Sequence, residues 1–362
     1  MSLWTSQLRP DLSDARIPGM KPILLPALRR LWRDSTTIQL GVDPRYATTL
    51  QFPEPRIARV LDLLDGTRTA HRAACEAHRY GMPQPQALQM IQHLHATGLL
   101  IDRKALAPTD LPEDTRRRLD AEIGALSLRD RPAGRTPAEI IRRRRRTSIL
   151  ISGRGRMAAT IAALLAAAGV GRIEIDLPGT VTRDDIAVGG ISPEDLGRPR
   201  VAAATDAARR AAPDVDLRPL RGARPDLAIL VGAPRPDPAT ALRYARRRCP
   251  QLPVWLRDGV VVLGPLVLPG RTTCLDCVNL HRQGRDPHWP VLAAQLATSP
   301  HHNEPAEAAL VGFGAGMAAS HALCQIDGGV PGTVAATVEL TPVGQVRRRS
   351  WPPHPRCGCI RR

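Results

Sequence analysis

SILISGRGRMAATIAALLAAAGVGRIEID, residues 148–176, is the stretch that decides the fold. It reads as a strand (Ser148–Ile151), a glycine turn (Gly153, Gly155), an alanine-rich helix (Met157–Ala168) and a second strand (Arg172–Ile175) closed by Asp176. This is the order of a βαβ unit that places phosphates at a helix N-terminus and a carboxylate near a ribose hydroxyl. The turn departs from that pattern. Arg156 and Met157 are bulky at positions where backbone must approach a phosphate, so the unit reads either as a working nucleotide site or as a retained shell.

Downstream, strands are predicted at Leu227–Val231, Val254–Arg257, Val260–Leu263, Thr333–Leu340 and Gly344–Arg349. Helices are predicted at Pro238–Arg248 and, rich in Ala and Gly, at Ala306–Ile326. Alternating elements with a late pair of strands imply a mixed α/β sheet, a plain Rossmann domain being the alternative. Four cysteines carry the clearest chemical signal: Cys274 and Cys277 in a CxxC, Cys357 and Cys359 in a CxC at the far end of the chain. Two such pairs can hold one tetrahedral ion; a redox CxxC or unpaired thiols are the other readings. Cys75, Cys249 and Cys324 fall in helical patterns and read as small apolar residues. His281, His288, His301 and His302 cluster in Leu280–Glu304, read as a proline-containing connection with solvent-facing histidines.

Upstream, residues 1–20 have no period and read as a flexible lead-in. Residues 21–102 show strands at Leu28–Arg33, Thr37–Val42 and Ala47–Phe52, then three short helices. The first carries Ile57, Val60, Leu61 and Leu64 at helical spacing, the second spans Thr69–Tyr80, and the third spans Gln86–Thr97. This is a winged-helix-type pattern. DNA is a poor partner for it, because the third helix offers Gln and His but no Lys or Arg for phosphate neutralisation. The same architecture can take an extended peptide as an added strand. Residues 103–147 form a linker with a short helix at Arg116–Ala125. Its arginine run 142–146 reads as a solvated helix face, with a docking patch as the alternative.

The charge of +17 comes from 51 basic against 34 acidic residues, and only Lys21 and Lys104 are lysines. An arginine bias of this kind is a weak argument for nucleic acid; an acidic peptide is the other use of a basic surface. No segment reads as a membrane span of roughly 20 apolar residues and no signal pattern opens the chain, so a cytoplasmic protein without disulfides is expected.

With these elements in place, LPALRRLWRDSTTIQLGVDPRYATTL (25–50), ARVLDLLDGTRT (58–69) and HLHATGLLID (93–102) resemble the leader-peptide recognition domain of ribosomal-peptide modification systems. Together with residues 148–362, nearly the whole chain is similar to the ThiF/E1-like leader-binding partners of azoline-forming cyclodehydratases, which make thiazole- and oxazole-modified peptides. The resemblance implies a leader lying between Ala47–Phe52 and Gln86–Thr97, with Thr48, Leu50, Phe52, Gln89, Gln92 and His93 as candidate contacts. It implies that the four cysteines form a structural zinc knot, although the family's usual second pair is CxxC. It further implies a YcaO-type cyclodehydratase as the partner, with a homodimer as a candidate assembly.

Measured against the family's adenylating members, Gly153, Gly155 and Asp176 survive as a vestigial nucleotide loop. The family's Asn-x-x-Arg falls roughly on Asp185 and Val188, so its arginine is missing unless Arg183 or Arg156 substitutes. Both lysines precede residue 105, so the phosphate-contacting lysine has no counterpart, and Asp237 is only a displaced stand-in for a Thr-Asp-Asn segment. The expectation is therefore a recruitment protein with no catalytic residues and no need of ATP. The alternatives are an active ATP-dependent adenylyltransferase and, after it, a winged-helix DNA binder.

Overall fold

Alternation of apolar side chains sets the registers of two small sheets in the first of two units, residues 1–142. The computed structural model describes residues 19–44, 47–129, 134–232, 243–244, 246–298 and 305–359. Strand β1 (Pro22–Leu24) pairs antiparallel with β5 (Leu100–Asp102), Ile23 lying opposite Ile101. Strands β2 (Arg30–Trp32), β3 (Thr37–Leu40) and β4 (Thr48–Gln51) form an antiparallel sheet in that order, so β4 is an edge. Ile38, Leu40, Leu50 and Phe52 are buried in one core, while Thr49 and Gln51 alternate to the other side. A 3₁₀ helix (Pro55–Leu63) comes next. Helix α1 (Ala70–Glu76) is capped by Thr69, whose Oγ accepts from the Arg72 amide. Helix α2 (Gln84–Ala96) turns Ala87, Met90, Ile91 and Leu94 into the same core, the stripe that a 3.6-residue period produces.

Helix α3 (Arg103–Leu106) and helix α4 (Glu113–Leu128), the latter longer than the expected Arg116–Ala125, build a second core with Leu25 and Ile101. Helix α5 (Pro137–Arg146) follows and contributes Ile140 and Ile141 to that core. The sequence pattern does not show the β1–β5 pair, since three-residue strands are too short to carry a period.

The second unit, residues 143–362, is built on a seven-stranded sheet. Its strands are β6 (Ser148–Gly153), β7 (Arg172–Asp176), β8 (Leu227–Val231), β9 (Gln251–Arg257), β10 (Val260–Leu263), β11 (Ala336–Leu340) and β12 (Val346–Ser350). The order is β12-β11-β10-β9-β8-β6-β7, parallel from β7 to β9 and antiparallel beyond, which is the mixed α/β sheet expected. Ile149 and Ile151 face a core shared with α6 (Met157–Ala167), α7 (Arg200–Ala211) and α10 (Ala308–Asp327). Leu150 faces the other way, onto Ala228, Leu230, Tyr244 and Cys249. Both faces of the parallel part are thus covered, as its continuous apolar strands require.

Three expectations need correction. The stretch Leu280–Glu304 is not a simple connection: α8 (Leu275–Gln283) and α9 (Trp289–Thr298) occupy much of it. Helix α10, 20 residues with a stretch of 18 at mean hydropathy 1.3, is long and apolar enough to cross a membrane, contrary to the reading that no segment is. Its Ala315, Ala318, Ala319 and Ala322 are buried in the core shared with α6, the packing that its small residues permit. The helix expected at Pro238–Arg248 lies mostly outside the described residues.

The arginine run is the third correction. Arg144 is fully buried and forms a bidentate pair with buried Asp327, Nε to Oδ1 at 2.8 Å and Nη2 to Oδ2 at 2.7 Å, while Nη1 donates to the Ala168 carbonyl at 3.0 Å. Arg143 donates to the Ile326 carbonyl, and Arg145 pairs with Asp214 at 2.8 Å. Arg144 thus departs from a solvated face, while Arg143 and Arg146 remain exposed. The run clamps the end of α5 to the ends of α6 and α10. Removing one partner of a buried pair leaves an uncompensated charge, so Asp327→Asn should lower unfolding free energy by about 3–5 kcal/mol. Paired apolar replacement, Arg144→Met with Asp327→Leu, should be less harmful than Asp327→Asn alone. Chemical denaturation of the three proteins checks both.

Candidate functional site

The loop between β6 and α6 crosses the end of β8 at close range. Gly153 (φ 124) and Gly155 (φ 110) turn it, and the Arg154 amide donates to the Val231 carbonyl at 3.1 Å. A Cβ on Gly153 would sit 2.1 Å from the Val231 oxygen, and one on Gly232 2.1 Å from the Arg154 oxygen. These glycines are demanded by backbone crossing, whether or not a phosphate is present. Asp176 lies exposed at the end of β7 and accepts from Ser152 Oγ at 2.9 Å.

Beside the loop is a cleft of about 600 Å³ whose charged lining is Arg154, Arg156, Arg183, Arg200, Asp184 and Asp185. Several of these groups are committed within the protein. Arg156 donates through Nη1 to the Ala306 carbonyl at 2.9 Å and through Nε to the Ile186 carbonyl at 3.4 Å. Buried Asp185 accepts on Oδ2 from the Thr182 amide (2.8 Å), Thr182 Oγ1 (3.0 Å) and Arg200 Nε (2.9 Å). The position aligned with the family's asparagine is therefore a turn cap. Val188, aligned with the arginine, is 82% exposed and offers only its carbonyl, to Thr160 Oγ1. Asp237 lies outside the described residues. In this cleft Oδ2 of the buried acid already meets three donors, Arg156 and Arg200 of the four arginines are engaged, and lysine is absent from the unit.

In the first unit, Thr48 is half-buried while Leu50 and Phe52 are in the core, 0% and 2% exposed. Gln89 is exposed on α2, Gln92 and His93 partly buried, and burial holds the His93 imidazole below its ordinary value. Alternation of Thr48, Leu50 and Phe52 already carried the signal that these three share one face and that the apolar two point inward. The ladder adds what sequence reasoning missed. The Phe52 amide bonds the Thr36 carbonyl, which makes the even-numbered residues of β4 the ones hydrogen-bonded to β3. The backbone groups of Thr49 and Gln51 face outward from the sheet edge.

Four sulfurs meet in the second unit. Cys274 is the N-cap of α8 and Cys277 sits in its first turn; Cys357 and Cys359 return from beyond β12. Sγ separations are 3.8 Å (Cys274–Cys277), 3.6 Å (Cys274–Cys357) and 3.5 Å (Cys277–Cys359), and all four lie within 4.8 Å of one another. Thiolates about 2.3 Å from a tetrahedral ion would be about 3.8 Å apart, so the set fits a metal with no open position. The His354 amide donates to Cys277 Sγ at 3.3 Å. Without an ion, burial pushes the Cys274 thiol up, and the Cys359 thiol up to about 11. A cation is what would hold these groups as thiolates together.

The returning segment is tied down by Thr273 Oγ1 to the Trp351 carbonyl (2.5 Å), Trp351 Nε1 to Thr337 Oγ1 (3.0 Å) and His281 Nε2 to the Pro352 carbonyl (2.9 Å). His281 is thus a strut, and His288 is exposed; His301 and His302 lie outside the described residues. Cys277→Ser or Cys359→Ser should release bound metal and lower the melting temperature, whereas Cys75→Ser should do neither. Elemental analysis with thermal melts of the three variants tests this.

Residues 131–228 match the ThiF family. No curated protein matches the sequence. Among solved structures, Escherichia coli MccB with ATP shares 14% identity at TM-score 0.64, covering 93% of this chain and 99% of that one. MccB, described as the microcin C7 biosynthetic enzyme, in complex with N-formylated MccA shares 13% at TM-score 0.64, covering 94% and 99%. PaaA shares 18% at TM-score 0.65, covering 90% and 98%. At these identities the likeness is one of fold. The chain carries a ThiF-family match over residues 131–228, within a fold shared along nearly its whole length with MccB and PaaA.

Proposed function

We propose that this protein is a recruitment factor that binds the leader of a ribosomally made precursor peptide and presents it to a YcaO-type cyclodehydratase for azoline formation. The first unit is a winged-helix-like recognition domain in this reading. The leader adds as a strand to β4, and its side chains reach α2 around Gln89, Gln92 and His93. The observation that carries the reading is the edge position of β4, with the backbone of Thr49 and Gln51 turned outward over a fully built core. The fold likeness adds support, since MccB is a biosynthetic enzyme solved in complex with N-formylated MccA. Holding the leader raises the local concentration of the core peptide at the partner's active site, so the contribution to rate is tethering. Zinc is the ion assigned to the four cysteines, which fix the C-terminal segment to α8. The protein works in the cytoplasm and adenylates nothing itself.

A second reading is favoured by one observation: the structure of MccB with ATP has this fold, and the cleft beside Gly155 is lined by four arginines. Under it the protein adenylates its peptide. ATP–pyrophosphate exchange separates the two, the first reading giving none. DNA binding gains nothing from α2, which carries no Lys or Arg.

Fluorescence anisotropy with a labelled leader encoded beside this protein's own gene is the direct test. Thr49→Pro removes one outward donor while leaving the β3 ladder intact, and should weaken binding by about tenfold. Thr49→Ala keeps the donor and should change it less than about threefold. Equal affinity of the two variants, or no saturable binding by the unaltered protein, rejects strand addition at β4.

A further inference from the structure

At the opposite end of the chain, β12 is a second sheet edge, and all five of its residues, Val-Arg-Arg-Arg-Ser, are exposed. Its register can be read in the same way. The Trp351 amide bonds the Ala335 carbonyl and the Thr341 amide bonds the Gln345 carbonyl, so odd-numbered residues of β12 are hydrogen-bonded to β11. The backbone groups of Val346, Arg348 and Ser350 therefore face outward.

Cross-strand pairing also collects charge on one sheet face. Arg257 aligns with Val260, Glu339 with Val262 and Arg347, and Thr337 with Arg349, which puts Arg257, Glu339, Arg347 and Arg349 on the same side. Arg282 and Arg285 of the α8 region approach that side. Arg282 stacks on Trp289 at 4.7 Å, and Arg285 and Arg349 lie 5.4 and 5.7 Å from the Trp351 ring centre. Against these five cations stands Glu339, which is paired with Arg257 at 2.9 Å. Arg282, Arg285, Arg347 and Arg349 have no carboxylate partner among the described residues. Burial first, and then the neighbouring Arg257 and Arg349, pull the Arg282 guanidinium down to about 10, with Glu339 opposing them.

We infer that β12 and the arginine face beside it form a docking site for an acidic, extended segment of another polypeptide, which adds as an eighth strand with carboxylates over Arg347, Arg349 and Arg282. A second copy of this chain is a poor occupant, because it would set the same arginines against one another. Nucleic acid would use the charge but not the outward amides, and this distinguishes it from a peptide. The site lies in the second unit and stands whether or not β4 binds a leader.

The test uses the full chain and three labelled probes of ten units: an alternating Val-Glu peptide, its Val-Lys counterpart and oligothymidylate. The Val-Glu peptide should bind saturably and the Val-Lys peptide should not. Arg347→Glu with Arg349→Glu should weaken the acidic peptide at least about tenfold. Arg348→Pro, which removes an outward donor, should weaken it about three- to tenfold, and Arg348→Ala less than about twofold. Retained metal content and melting temperature identify variants that are folded, and Arg348→Ala against Arg348→Pro isolates the amide. Equal binding of both peptides overturns the inference. So does oligothymidylate binding tighter than the Val-Glu peptide with Arg348→Pro indifferent.

Discussion

The buried pair between Arg144 and Asp327 is the constraint on which the second unit depends. A guanidinium and a carboxylate at 1% and 0% side-chain exposure are tolerable only when nearly every donor and acceptor is met. Here the fork also reaches the Ala168 carbonyl at the end of α6. The end of α5, the exit of α6 and the last residue of α10 are thereby fixed to one point, immediately before β6 begins. The Gly171 amide bonds the Arg144 carbonyl at 3.0 Å, and a Cβ on Gly171 would lie 1.8 Å from the Arg145 oxygen, so glycine is required for this closure. The βαβ unit is held by this junction and by a helix buried on almost every side. All of these contacts are made between groups of the protein itself.

The shell of the unit therefore stands on contacts made within the protein. Adenylation needs cations and an acid whose hydrogen-bonding capacity is open to the substrate. In this cleft Arg156 ties the helix N-terminus to the Ala306 and Ile186 carbonyls, and Arg200 and Thr182 close around Asp185. The same residue types serve as internal struts. The two sheet edges carry the opposite character, since at β4 and at β12 alternate backbone groups point away from the ladder and nothing in the ladder uses them.

Much of this was legible in the sequence where physical periods are long or residue chemistry is specific. Leu227–Val231 and Val260–Leu263 are strands with the bounds the apolar runs suggest, and the CxxC and CxC pairs meet as their spacing allows. The failures have identifiable causes. The arginine run looked solvated because composition outweighed position; Arg144 lies three and four residues after Ile141 and Ile140, on their buried stripe. Leu50 and Phe52, candidate peptide contacts, alternate with Thr49 and Gln51 and are buried in the core. The Ala and Gly content of α10 reads as a core helix, whereas Leu310, Val311, Phe313, Leu323 and Ile326 raise its hydropathy to the level of a membrane-length segment. Which backbone amides are left outward at an edge depends on strand pairing, and no sequence pattern encodes it directly.

Hydrogen exchange on the full chain, with and without its precursor peptide and with and without ATP, bears most directly on the division of labour between the two units. The account predicts slowed exchange at the Thr49 and Gln51 amides on adding precursor, with residues 153–185 unchanged by ATP. ATP-dependent protection across 153–185, with β4 unaffected by the precursor, would contradict it.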